Sequence, residues 1–220
     1  IRAGEIVGLT GLLGSGRTEL AEALFGLRPA TSGKIFIDGT ERQIRTVQDA
    51  IQQKMAYVPE DRLTEGLFLE QSIERNMVIS VVDRLANRWR TIDADKAKAT
   101  VRDWIATLGI ATHSPALPVK TLSGGNQQRV VLAKGLATEP RLLILNGPTV
   151  GVDIGSKEDI HQVVRSLAKE GMAVLMISDD LTELRQNCNR VLVMKKGRLV
   201  GEMAGKALTQ EEWTRLQEAT

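Results

Sequence analysis

The residues with the clearest chemistry are GLLGSGRT, Gly11 to Thr18. Their spacing is G-x-x-x-x-G-[basic]-[Ser/Thr], between an apolar run, EIVGLTG, and a segment of helical periodicity. Glycine lets the backbone turn tightly, so that successive N–H groups along Gly11, Leu12, Leu13, Gly14, Ser15 and Gly16 can face phosphate oxygens. A helix starting near Gly16 adds the positive end of its dipole. Thr18 is placed to offer a hydroxyl to Mg²⁺. Arg17 departs from the pattern. Lysine threads a compact charge between the outer phosphates, whereas arginine brings a longer planar fork that cannot occupy the same spot. Taken alone, the match also suits a strand–turn–helix that merely needs glycine.

A second stretch, TLSGGNQQRVVLAKGLA (Thr121–Ala137), has Ser123 as a helix N-cap, with Gly124 and Gly125 leaving the backbone bare for a close approach. It is another anion-binding helix start. No strand precedes it, so it should serve different phosphates from the first loop. A third stretch, RLLILNGPTVGVD (Arg141–Asp153), is a buried strand that ends at Asn146 and Gly147, where a nucleotide-hydrolysing enzyme would be expected to place two acids.

The elements that must position these residues alternate. Strand-like runs at EIVGLTG, KIFID, KMAYV, RLLILN and MAVLMIS are separated by helical segments, and RVLVMKKGRLVGEM predicts a hairpin turning at Lys196-Gly197. The expected fold class is therefore α/β, a mainly parallel sheet covered on both faces, with an antiparallel part. From Leu69 to Lys120 the character is mainly helical, with SIERNMVISVVDRLANRW and DADKAKATVRDWIATLGI as its segments. Thr209 and Glu212 have capping-box spacing ahead of a last short helix. With 220 residues, 42% hydrophobic and 25% charged, the chain can bury one good-sized core. A net charge of +2 is too small to argue for nucleic acid, and the basic residues of DRLANRWR read as a solvated face. The single cysteine, Cys188, rules out an internal disulfide or cysteine metal cluster and reads as a small buried residue. His113 and His161 lack partners at ligand spacing and read as solvated or helix-surface residues.

With GLLGSGRTEL, YVPEDR, LSGGNQQ and PTVGVD in this order, the chain resembles the ATP-binding cassette (ABC) ATPases, whose signature is LSGGQ. It looks most like the second, C-terminal cassette of the twin-cassette proteins that drive bacterial monosaccharide import. The resemblance covers essentially the whole chain. It implies a P-loop NTPase core, residues 1–68 and 140–220, around an inserted helical subdomain, 69–139, carrying the signature. Two cassettes would meet head to tail, so that Leu122, Ser123, Gly124, Gly125, Asn126 and Gln127, with Asp153, reach an ATP held by a companion. The chain's own cofactors would be ATP at Gly11–Thr18, with Mg²⁺ near Thr18 and Glu60. Glu60 falls where the family usually has a glutamine that contacts Mg²⁺ and the attacking water. Implied partners are the companion cassette, membrane-spanning permease subunits and, indirectly, a periplasmic sugar-binding protein. The implied place is cytoplasmic, peripheral on the inner face of the bacterial plasma membrane.

The resemblance sharpens the departures. The family strand ends in Asp-Glu, one residue supporting Mg²⁺ and one polarising water; here these are Asn146 and Gly147. Asparagine lacks the charge that holds a hard divalent cation, and glycine cannot position water. The family's switch histidine corresponds to Asp179, a carboxylate that repels phosphate. Arg17, Asn146, Gly147 and Asp179 together imply a site deficient in hydrolysis, beside a nearly intact signature. The family's adenine-stacking aromatic is missing upstream of the phosphate loop, which suggests a fragment of a longer chain with weak nucleotide affinity. The rival readings are a fully competent ATPase of this fold and a regulatory nucleotide-sensing cassette. A DNA-repair or chromosome-organising cassette would need long coiled-coil or zinc insertions that this chain lacks.

Overall fold

The structure is a computed structural model that describes residues 1–88 and 91–218. The chain enters at once into β1 (Ile6–Gly11), loops into α1 (Arg17–Phe25), forms a small hairpin of β2 (Ile35–Ile37) and β3 (Thr40–Arg42), then α2 (Val47–Gln52) and β4 (Met55–Val58). A π-helical turn at Arg62–Gly66 leads to α3 (Ile73–Val78), α4 (Val82–Leu85), α5 (Ala94–Thr107) and α6 (Gly124–Leu136). The rest runs β5 (Leu142–Asn146), α7 (Ile154–Lys169), β6 (Ala173–Ile177), α8 (Leu181–Asn187), β7 (Arg190–Lys195), β8 (Arg198–Ala204) and α9 (Gln210–Glu218).

Six strands form one sheet in the order β4-β5-β6-β1-β7-β8, all parallel except β8. Strand side chains alternate between faces, and both faces are covered, so the central strands are apolar throughout. Val7 and Leu9 of β1 and Ile144 of β5 pack with Ala21 and Phe25 of α1, Ala50 of α2 and the hairpin residues Ile35 and Ile37. Leu143 and Leu145 of β5 and Met176 of β6 face the other way, into a cluster shared with α3, α5, α6, α7 and α8. Each such side chain, fully buried, contributes about 1.5–3 kcal/mol. The helical block sits wholly between β4 and β5 and joins this second cluster through Val130, Val131, Leu132 and Leu136 of α6.

Three local readings change. The strand in KIFID is the first arm of a hairpin whose second arm, TER, is not among the expected strands; Asp38 (φ 50°) and Gly39 (φ 73°) reverse the chain between them. α2 is not among the expected elements; Thr46 and Asp49 form a capping box at its start. SIERNMVISVVDRLANRW is broken by a 3₁₀ turn at Ile79–Val81. Four β-branched residues, Val78, Ile79, Val81 and Val82, crowd that turn and weaken a regular helix. Trp89 and Arg90 of that segment lie outside the described residues. The β7–β8 hairpin turns at Lys196 (φ 48°) and Gly197 (φ 77°), as its spacing predicts.

Candidate functional site

The carboxyl ends of the adjacent parallel strands β5, β6 and β1 lie side by side, as they do where α/β proteins place ligands. There β1 becomes the Gly11–Thr18 loop, β5 ends in Asn146 and Gly147, and β6 leads to Ser178, Asp179 and Asp180. Next to β5, β4 ends at Val58 and leads to Pro59 and Glu60. The four departures named from the sequence are brought together: Arg17, Asn146, Gly147 and Asp179 line one pocket of about 200 Å³, with Glu60 on its wall. An adjoining cleft of about 520 Å³ is lined by Thr18, Glu60 and Asn146.

The loop has the shape its glycines imply. Gly14 (φ 76°) and Gly16 (φ 97°) take left-handed backbone, and Gly16 is the N-cap of α1. The β7–β8 turn braces it, the Gly197 amide donating to the Ser15 carbonyl at 2.8 Å. Leu13 stands at the exposed tip and Leu12 is half exposed. The Ser15 hydroxyl is buried among protein atoms without a hydrogen-bond partner. An orphaned donor in a glycine loop at a helix start fits a phosphate oxygen.

Arg17 does not extend its fork into open space. Its Nη1 donates to the Gly11 carbonyl at 2.7 Å and to the Asp179 carboxylate. The arginine is buried while the Asp179 side chain is 70% exposed, so the ion pair caps the pocket from the solvent side. Burial pulls the Arg17 guanidinium below its ordinary value, and Glu60 opposes that pull.

The end of β5 offers little to a metal. Asn146 is buried, and its amide NH₂ donates to the Tyr57 hydroxyl at 3.2 Å; Tyr57 in turn stacks on Phe25, with centroids 5.5 Å apart. Burial raises the Tyr57 phenol, against the lowering effect of the Asn146 bond. Gly147 has φ 57°, and a Cβ there would lie 2.9 Å from Cγ of Glu60. Glu60 occupies the room a side chain at 147 would need. Thr18, Glu60 and Asn146 face the cleft, and Glu22, Asp61 and Glu65 add further carboxylates to its wall. Among the described residues no group of three or more His, Cys, Asp or Glu could hold a metal ion. A wall of this kind would suit Mg²⁺ as an ion that keeps several of its waters and leans on phosphate oxygens.

None of the signature residues lines either cavity, and the stretch is held differently. Ser123 caps α6, its Oγ accepting from the Asn126 side chain at 3.0 Å, while the Asn126 carbonyl accepts the Ala111 amide at 2.8 Å. Leu122 precedes the cap, and its carbonyl accepts from the buried Gln127 side chain. The glycines serve neighbours inside the chain: a Cβ on Gly125 would lie 2.2 Å from Ser156 Oγ, and one on Gly124 would lie 3.0 Å from Arg62 Nη2. Asp153 caps α7 by accepting the Ser156 amide at 3.0 Å, which lowers its carboxyl pKa.

The ABC transporter family matches residues 1–150 of this chain. The chain belongs to the ABC transporter family. Among curated relatives, the cassette is 44% identical over 211 residues to a ribose import ATP-binding protein of Geobacillus kaustophilus, covering 96% of this chain and 42% of that protein. It is 42% identical over 213 residues to a xylose import ATP-binding protein of Brucella abortus, again covering 96% and 42%. The chain thus spans about two-fifths of the length of these relatives. Of solved structures, a nucleotide-free ATP-binding cassette from an ABC transporter superposes with TM-score 0.82 at 19% identity, covering 98% of this chain and 85% of that one. The cassette cbiO1 of Clostridium perfringens gives 0.79 at 24%, covering 97% and 82%. At these identities the structures show the shared fold alone. ATPases of the family bind ATP with Mg²⁺ and hydrolyse it. No helix among the described residues is long and apolar enough to cross a membrane.

Sequence reasoning missed the polar group beneath the cassette's site. His161 is not a surface residue: it is 6% exposed on the inner face of α7, with Nε2 2.7 Å from Glu183 of α8. Glu183 also accepts the Thr149 hydroxyl at 2.9 Å and the Ser178 hydroxyl. Burial by itself raises the Glu183 carboxyl, but these three bonds outweigh it and hold it below the usual carboxylate range. Its partners lie 22, 34 and 5 residues away, so no local spacing marked them. His113 is exposed and Cys188 buried, as expected.

Proposed function

We propose that this cassette binds ATP at a site that hydrolyses it very slowly or not at all, and lends its signature to the ATP site of a companion cassette. The cooperation would energise import of a monosaccharide of the kind named in its relatives, ribose or xylose. In this reading Gly11–Thr18 hold the phosphates, and Thr18 with Glu60 face Mg²⁺. Residues 69–139 act as a helical subdomain beside the core of 1–68 and 140–220. The cassette would be the C-terminal one of a twin-cassette protein, docked on permease subunits at the cytoplasmic face of the membrane and served by a periplasmic sugar-binding protein.

One observation carries the reading: Arg17, Asn146, Gly147 and Asp179 line the same small pocket, where the arginine is paired with the aspartate. A cation tied to Gly11 and Asp179 is drawn away from a transferring phosphate, and a glycine with φ 57° brings no side chain to water. Loss of a general base costs about two to four orders of magnitude.

A second reading, a competent ATPase, has Glu60 in its favour. Its carboxylate stands in the room beside Gly147 and lines both cavities, so it could polarise water in place of residue 147. The two readings part in the assembled transporter with the companion's catalytic acid removed. Phosphate release is expected to fall below about one-hundredth of the unmodified rate. A remaining rate above about one-tenth, abolished by Glu60→Gln, would establish the second reading instead.

A further inference from the structure

Arg62 stands two residues after Glu60, on the wall of the cleft of about 520 Å³, and has been given no role so far. Its guanidinium works in three directions. Nη1 donates to the Val150 carbonyl at 2.8 Å, Nη2 to the Gly151 carbonyl at 3.1 Å, and Nε to Gln127 of α6 at 3.4 Å. Two glycines make room for it. A Cβ on Gly124 would stand 3.0 Å from Nη2, and one on Gly151, whose φ is 66°, would stand 3.1 Å from Nη1. The backbone of Asp61 and Arg62 is in turn held by a local cap, since the Asp61 carboxylate accepts the amides of Leu63 and Thr64 at 2.9 and 3.2 Å.

The loop after β5 is therefore gripped from two sides. On one side Thr149 is tied to Glu183, whose other partners are Ser178 at the end of β6 and His161. On the other side Val150 and Gly151 are tied by Arg62 to the first turns of α6. The carbonyls of two successive residues are matched by the planar fork of a guanidinium and not by a point-like ammonium.

We infer that Arg62 is the positioning residue that joins the loop of residues 147–153 to the signature helix, so that the cassette's own pocket and the surface it offers a companion move as one piece. The inference rests on the proposed trans role of Ser123–Gln127. A shift of about 1 Å in such a supporting element is enough to cost about a hundredfold in a rate it positions.

The test uses the assembled transporter. Arg62→Ala is expected to lower turnover at saturating ATP at least ~10-fold, with KM for ATP changed by less than ~2-fold. Arg62→Lys should fall between the two. Amides of residues 150–153 should lose protection from hydrogen exchange in Arg62→Ala while the thermal midpoint stays put, a readout that separates positioning from folding. Unchanged turnover in Arg62→Ala, or a loss matched by a lower midpoint and a raised KM, overturns the inference. Ser123→Trp is the control for the reading beneath it. If that variant abolishes turnover and Arg62→Ala does not, only the strut is lost; if Ser123→Trp is also harmless, the trans role and the strut fall together.

Discussion

The pocket at the ends of β1, β5 and β6 and the cap of α6 each lie at a glycine-bearing helix start, yet they treat their polar groups in opposite ways. In the pocket, Arg17 is taken by Gly11 and Asp179, and the Asn146 amide by Tyr57. At the α6 start, Ser123, Asn126 and Gln127 bond with one another's neighbourhood, and the first-turn amides of Gly124 and Gly125 have no intrahelical acceptor. The difference teaches that two sites sharing one principle, a glycine-bearing helix start, can diverge through the side chains set around them. Under the proposed function, a cation tied up inside the pocket is withheld from developing charge, whereas the α6 start keeps its first-turn amides for an anion.

The strongest way to break this contrast is at the cap. Ser123→Trp should reduce phosphate release by the assembled transporter at least ~100-fold, because a bulky ring holds a bound triphosphate off the helix start. A normal rate would mean the intact side of the comparison is idle. Next comes the support shared by the pocket and the loop of residues 147–153. Glu183→Ala should destabilise the fold by ~2–4 kcal/mol in urea unfolding, since three donors lose a charged acceptor. Because the folded carboxyl is held low, its contribution is present above the unfolded value near 4.5 and disappears as pH falls through the folded value. Glu183→Gln should therefore flatten the acid limb of stability against pH.

Rebuilding the acids sharpens the comparison from the other side. Asn146→Asp with Gly147→Glu should raise own-site hydrolysis less than ~10-fold, as Arg17 and Asp179 remain and a side chain at 147 costs ~1–3 kcal/mol in left-handed backbone. Full rescue, read as phosphate release with the companion disabled, would show that the lost acids alone had silenced the pocket. Asp179→Asn is gentler. It removes the counter-charge of Arg17 at an exposed position, so ATP affinity measured by calorimetry should rise only ~3- to 10-fold. The smallest effect concerns Cys188, whose thiol burial pushes up to about 12. It should resist thiol reagents in the native protein and react only on unfolding.

Much of this was legible along the chain. Phosphate-loop geometry follows from glycine spacing, and the sheet order's main contributors announce themselves as short apolar runs between helical periods. The absence of an acid at the end of β5 could be read from two letters, Asn146 and Gly147. Other features were not legible. β3, with the sequence TER, is exposed along its length and has no apolar alternation to report it. His161 sits on an amphipathic helix where only the direction of α7 against α8 decides whether it meets water or Glu183.

By itself the sequence determined which residue types stand in the glycine loop and at the ends of β5 and β6, since those are properties of residue type at short spacing. The tertiary structure alone decided how the remaining charges are partnered. Arg17 meets Asp179 across 162 residues, and Arg62 meets Val150 across 88. Such pairs depend on which strand ends lie side by side, and that neighbourhood exists only after the sheet has closed its order.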